Sequence, residues 1–147
     1  MTGTENDDSA VRASREVRVV VGRLRRRLRE LAVGDDLTPS QTSVLTRLGK
    51  EGDSSASVLA VAEGVRPQSM ASTLAALDQH GLIERRPDPA DGRRQLITLS
   101  DAGKRRAEGD RQARREWLTT ALQERCTEQE RHVIIEAMAL LERVAER

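Results

Sequence analysis

Apolar positions in this chain recur every three or four residues almost throughout, the spacing of helical faces, and only one stretch departs from it. From residue 11 to residue 33 the stripe is Val17, Val20, Val21, Leu24, Leu28 and Leu31. "GDDLTPSQ" interrupts it. Thr38 with Gln41 then forms a capping box, with Pro39 at the first helical position, opening a helix that carries Val44, Leu45 and Leu48 and ends near "GKEGD". A short helix over about 56–63 is stopped by Gly64. After the turn "GVR", Pro67 opens a helix to about His80, with Met70, Leu74 and Leu77 on one face and Gly81 as its stop. The departure comes next. Residues 82–86 read as a strand, "PDPADG" as a turn because of its two prolines and Asp-Gly pair, and Gln95–Leu99 as the returning strand. Ser100 caps a long helix to about Gln123, despite Gly103 and Gly109. Thr127 with Glu130 is a second capping box, and the last helix is expected to turn Val133, Ile134, Ala137, Leu140, Leu141 and Val144 inward.

The order is helix, helix, two short helices joined by a tight glycine turn, hairpin, helix, helix. Two short helices so joined make a helix-turn-helix, and a hairpin directly after them makes it winged. The predicted fold is therefore mainly α, α+β only through its small wing. The winged helix-turn-helix occupies 34–100, flanked by helical regions at 11–33 and 101–147. Residues 1–10 are polar and acidic and are expected to be disordered.

Composition adds a partner. A length of 147 residues fits one domain, but only 37% of them are hydrophobic and 33% are charged, so a lone copy would have a thin interior. Some apolar surface should be covered by a second copy, giving a homodimer. The net charge of +1 gives no global case for nucleic acid, so distribution has to carry it. Residues 12–29 hold eight arginines against one glutamate, and 85–115 are again arginine-rich. Lys50 and Lys104 are the only lysines. Arginine's planar fork suits phosphates and guanine edges, although a GC-rich genome accounts for arginine usage equally well.

The single Cys126 excludes an intramolecular disulfide and fits a reducing compartment. The first ten residues lack the basic and apolar regions of a signal peptide, and the apolar run around "VRVVVG" is far too short to span a membrane. The expected location is the cytoplasm, with no membrane partner.

The second helix of the pair bears the candidate site. With Met70, Leu74 and Leu77 buried, Gln68, Ser72, Ala75 and Gln79 fall opposite, with Ser69 and Ala76 at the flank. Its exposed N-terminal face is thus slim and hydrogen-bonding, as a helix entering a major groove requires. Gln68 suits bidentate reading of adenine. Ser69, Ser72 and Thr73 suit phosphates or base edges, and Arg66, beside Pro67, suits a phosphate. In the hairpin, Arg93 and Arg94 follow Asp91-Gly92, where a narrow finger can carry a guanidinium into a minor groove. Asp91 is placed to orient Arg93. The plainer account is an ordinary solvated helix face and a surface turn with an ion pair worth roughly 0–1 kcal/mol. Helix pair and charged hairpin in succession favour double-stranded DNA.

Here the chain resembles the MarR family of bacterial transcriptional regulators. The resemblance rests on "LTPSQTSVLTRL", on "VLAVAEGVRPQSMASTLAALDQHGLIERR" and most specifically on "DPADGRRQLITLS" followed by "DAGKRR", and it covers about 17–141. It implies a dimer whose first and last two helices interleave with those of the second subunit. It also implies a wing tip at Asp91-Gly92-Arg93 whose arginine enters the minor groove, and recognition-helix positions at Gln68, Ser69 and Ser72. The implied function is a repressor binding an inverted-repeat operator and relieved by a small-molecule effector held between the dimer helices and the DNA-binding lobe. The scarcity of aromatic residues for such a pocket weakens that last implication. Some members sense oxidants through a cysteine near the start of the first helix, and this chain has none there.

Other classes fit less well. His80 and His132 are far apart, no Ser/His/Asp set or phosphate loop is evident, and no His/Cys cluster suits a metal, so no enzyme, cofactor or metal site is expected. His80 reads as a helix end, where a cation suits the dipole. With no Phe or Tyr and one Trp, stacking platforms for single strands or RNA are missing. A helical bundle serving only protein interaction explains the terminal helices but gives the hairpin tip no purpose. Trp117 reads as core or dimer packing, and Cys126 as an incidental thiol.

Overall fold

The computed structural model describes residues 3–32, 34 and 36–146. Its elements are α1 (Gly3–Arg29), α2 (Pro39–Glu51), α3 (Ala56–Glu63), α4 (Pro67–Gln79), β1 (Ile83–Pro87), β2 (Gln95–Leu99), α5 (Asp101–Arg125) and α6 (Glu128–Ala145). Four of the helices start on a side-chain cap. Thr38 accepts from the Gln41 amide while Gln41 accepts from that of Thr38, Ser55 accepts from Val58, Ser100 from Gly103, and Thr127 repeats the box with Glu130. Each cap satisfies backbone N–H groups that the first helical turn leaves without partners. Between α3 and α4 the chain reverses at Gly64, whose φ of 65° is left-handed and needs no strain only because the residue has no Cβ.

The core lies wholly inside this central region. Val44, Leu45 and Leu48 of α2 meet Leu59 and Ala60 of α3, Met70, Leu74 and Leu77 of α4, and Leu82, Ile83 and Ile97 of the hairpin. Truncating one such buried leucine to alanine costs about 2–5 kcal/mol in well-packed cores. The wing is an antiparallel pair running from Ile83 opposite Leu99 to Pro87 opposite Gln95. Ser54 joins its outer edge, exchanging backbone hydrogen bonds with Ile97 at 3.1 and 2.6 Å, so the segment before α3 is tied to β2. Helix α5 starts against the hairpin. A Cβ on Gly103 would stand 2.0 Å from the Leu82 carbonyl oxygen, so only glycine permits this approach.

Three expectations need correction. Helix α1 begins at Gly3, not near residue 11, so residues 3–10 are helical in place of the expected disorder, while residues 1 and 2 lie outside the described residues. No proline precedes Pro39, and Asp8 sits towards the positive end of the helix dipole, where negative charge is favourable. The strand read as 82–86 is displaced by one residue, because Leu82 still closes the end of α4, its amide donating to the Leu77 carbonyl at 3.0 Å. The third concerns α6, in which no residue is buried: Val133, Leu140 and Val144 are exposed, and Ile134, Ala137 and Leu141 only half-buried. The stripe is real, but one chain supplies nothing to cover most of it. Among the described residues no helix is long and apolar enough to cross a membrane, and no group of three or more His, Cys, Asp or Glu could hold a metal ion.

Candidate nucleic-acid interface

Helix α4 divides as its sequence requires. Met70, Leu74 and Leu77 are buried, Pro67, Gln68, Ser69 and Ser72 are exposed, and Thr73 is half-buried. Arg66 holds the N-cap position in an extended conformation, with φ −70° and ψ 152°, and gives no side-chain cap. Alone among α2 to α6, this helix therefore keeps its first-turn N–H groups free of a capping side chain. Those groups, at the positive end of the dipole, are available to a phosphate. The Ser72 hydroxyl donates to the Gln68 carbonyl at 3.2 Å and Thr73 to that of Ser69 at 3.0 Å. Both oxygens keep lone pairs to accept from a base amine. The Gln68 side chain is exposed.

The preceding helix is held from behind. Glu63, at the end of α3, accepts from Arg47 Nε at 2.8 Å and from the Ser43 hydroxyl at 2.8 Å, binding α3 to α2. The Glu63 hydrogen bond pushes the pKa of the Arg47 guanidinium up.

At the wing the arginines separate by role. Asp88 and Asp91 shape the turn: Asp88 Oδ1 accepts from the Ala90 amide at 2.8 Å and Asp91 Oδ1 from the Arg93 amide at 3.1 Å. Asp91 thus fixes the Arg93 backbone and does not hold its guanidinium, which corrects the expected pairing. An Asx turn uses the carboxylate on the nearest N–H, leaving the longer side chain free. Arg94 turns away from the tip and donates to the Ser55 hydroxyl at 2.7 Å. Arg85 pairs with Asp78 at 2.9 Å and Arg86 with Asp53. Arg93 is exposed and enters no ion pair among the described residues. Ser55, Asp53 and Asp78 were not among the residues singled out from sequence. Only Asp78 had a local hint, a carboxylate in the last turn of α4 near the strand that brings Arg85 back.

A cavity of about 670 Å³ opens between α2, β2 and α5. Leu48, Leu99 and Ala107 give it apolar walls, Lys50, Lys104, Arg111 and Arg114 give it cations and Asp53 and Glu108 carboxylates, so both lysines of the chain line one space.

Comparison with known proteins agrees with this geometry. The MarR family profile matches residues 35–94. Proteins named as HTH-type transcriptional regulators in Mycobacterium tuberculosis and Mycobacterium leprae are 38% identical over 115 residues, 78% of this chain and 80% of theirs. A Pseudomonas aeruginosa crystal structure described as a transcriptional regulator is 34% identical and superposes with a TM-score of 0.82 over 94% of this chain and 96% of its own. The apo form of MarR from E. coli, 25% identical, gives 0.75 over 90% and 96%. The chain belongs to the MarR family, winged helix-turn-helix regulators of transcription rather than enzymes. Membership implies operator DNA as a partner and dimerisation.

Proposed function

We propose that the protein is a homodimeric repressor that reads an inverted-repeat operator through the N-terminal turns of α4 and is released from it by a small ligand. The observation that carries this reading is the state of α4, whose first turn is uncapped while Gln68, Ser69 and Ser72 stand exposed beside it. Gln68 reads an adenine edge, Ser69, Ser72 and Thr73 contact base edges or phosphates, and Arg66 with the Pro67 turn holds a phosphate. Arg93 enters the minor groove. Asp91 sets the backbone from which Arg93 projects, and Arg94 braces the wing against α3. The reading unit is 34–100, and the dimer forms through 11–33 and 101–147. That division is supported by the exposed Val19, Val20 and Val21 of α1 and Ile135, Leu140 and Val144 of α6. Such a regulator works in the cytoplasm, where its operator lies.

The release step is supported by the cavity between α2, β2 and α5. At about 670 Å³ it is of a size that holds a small organic ligand, and its apolar walls, with four cations against the carboxylates of Asp53 and Glu108, suit a lipophilic anion. Selection of bound duplexes from a random pool tests the reading. The expected product is an inverted repeat with half-sites about 10–10.5 base pairs apart, bound less tightly as salt rises. Enrichment of no duplex would refute it.

A further inference from the structure

The far end of α4 is tied to α5 at two separate points. The first is the start of α5, where Ser100 donates its hydroxyl to the Gly81 carbonyl at 2.6 Å and its amide to that of Leu82 at 3.0 Å. The second runs through Asp36, in the link between α1 and α2. Its two carboxylate oxygens face the Arg106 guanidinium, at 3.0 Å from Nη2 and 3.3 Å from Nη1. The same carboxylate lies 3.8 Å from Nδ1 of His80, the residue that ends α4, which is beyond hydrogen-bond distance and an ion pair only with the imidazolium form. Arg106 is in turn held from inside α5, its Nε 3.5 Å from the fully buried Asp110. The result is a row of four groups, His80, Asp36, Arg106 and Asp110, reaching from the end of α4 into α5.

The loop is shaped around this pair. Gly34 has φ 91°, and a Cβ on it would stand 3.0 Å from Asp36 Oδ1 and 3.4 Å from Arg106 Nη2. Ser100 and Arg106 are six residues apart, so the two ties are about 9 Å apart along α5 at 1.5 Å per residue. One tie makes a pivot, whereas two fix an angle.

We propose that Asp36 is a positioning residue for DNA recognition: by bridging His80 and Arg106 it fixes the angle between α4 and α5, and with it the half-site spacing that the dimer accepts. This rests on the dimeric operator-reading function proposed above, in which α5 belongs to the dimerisation region and α4 to the reading unit. The Arg106 hydrogen bond holds the Asp36 carboxyl below its ordinary range, and that of Asp36 raises Arg106, so both stay charged around neutral pH. Asp36 is about half exposed, its side chain at 49%, and belongs neither to the core cluster nor to α4. Its removal therefore separates geometry from folding and from base contacts.

The test measures the Kd of wild type and Asp36→Ala for the selected operator and for versions with one base pair added to or removed from the spacer. Wild type is expected to prefer its own spacing by about tenfold or more, since each base pair also rotates one half-site about the helix axis. Asp36→Ala is expected to bring the three duplexes within about twofold to threefold, while keeping wild-type discrimination against base substitutions inside the half-site. An unchanged spacing ratio would overturn the proposal, as would an equal loss on all three duplexes, the mark of a merely structural role. If Asp36→Ala loses its helical circular dichroism, Asp36→Asn keeps the shape without the charge and is read by the same ratios. A wild type that discriminates no spacing at all would instead overturn the dimeric reading on which the inference rests.

Discussion

Arg94 sends its guanidinium back to the Ser55 hydroxyl at 2.7 Å, and its neighbour Arg93 stands exposed at the wing tip with its backbone held by Asp91. Truncating the two should therefore have different consequences. Arg93→Ala is expected to weaken operator binding by about 1–3 kcal/mol with an unchanged unfolding midpoint, measured by titration at matched salt and by thermal melt. An unchanged isotherm would remove the wing from the interface. The sequence could single out this Asp-Gly-Arg-Arg tip, because turn residues and charge are local properties. It could not assign the two arginines their roles, since Ser55 lies 39 positions away and only the folded hairpin brings it to Arg94. Asp91 illustrates the same limit at shorter range. Its spacing to Arg93 suggested an ion pair, but an amide two residues on is closer than a guanidinium at the end of its side chain.

At the scale of elements, what the sequence disclosed were ends and faces. Thr38, Ser100 and Thr127 are caps where the capping patterns place them, and Gln95–Leu99 is β2 to the residue. Both follow from local hydrogen bonding and from the spacing of apolar residues. Gly103 is the counter-example. It reads as a weak point within a helix, yet it is what lets α5 press on the Leu82 carbonyl, a contact 21 positions distant that no periodicity records. Ser100 joins the two levels, since its hydroxyl both caps Gly103 and donates to Gly81. Ser100→Ala is expected to lower unfolding stability by about 1–2 kcal/mol in urea titration. No loss would mean that α5 needs neither bond.

Over the whole molecule, the central region is a closed core and the terminal helices are not. The buried residues of the core all fall between Val44 and Ile97, whereas α6 has no buried residue. The stripe on α6 was legible from its spacing, but which surface would cover it was not, because no α6 residue is buried within a single copy. In the proposed homodimer the second copy covers it. Leu140, 54% exposed, lies on the open part of that stripe. Leu140→Glu is expected to halve the mass found by sedimentation while the central core still melts cooperatively, and to weaken operator binding by more than about tenfold through loss of the second half-site. A dimer of undiminished stability would place the interface elsewhere. In the proposed function the first turns of α4 read base pairs, and Gln68 is the most direct probe of that contact. Duplex selection from a random pool should be run in parallel with wild type and Gln68→Ala. Loss of preference at one symmetric pair of positions, with the rest of the inverted repeat retained, is the result this account predicts. An identical consensus for the two proteins, whether or not the variant binds more weakly, would contradict it.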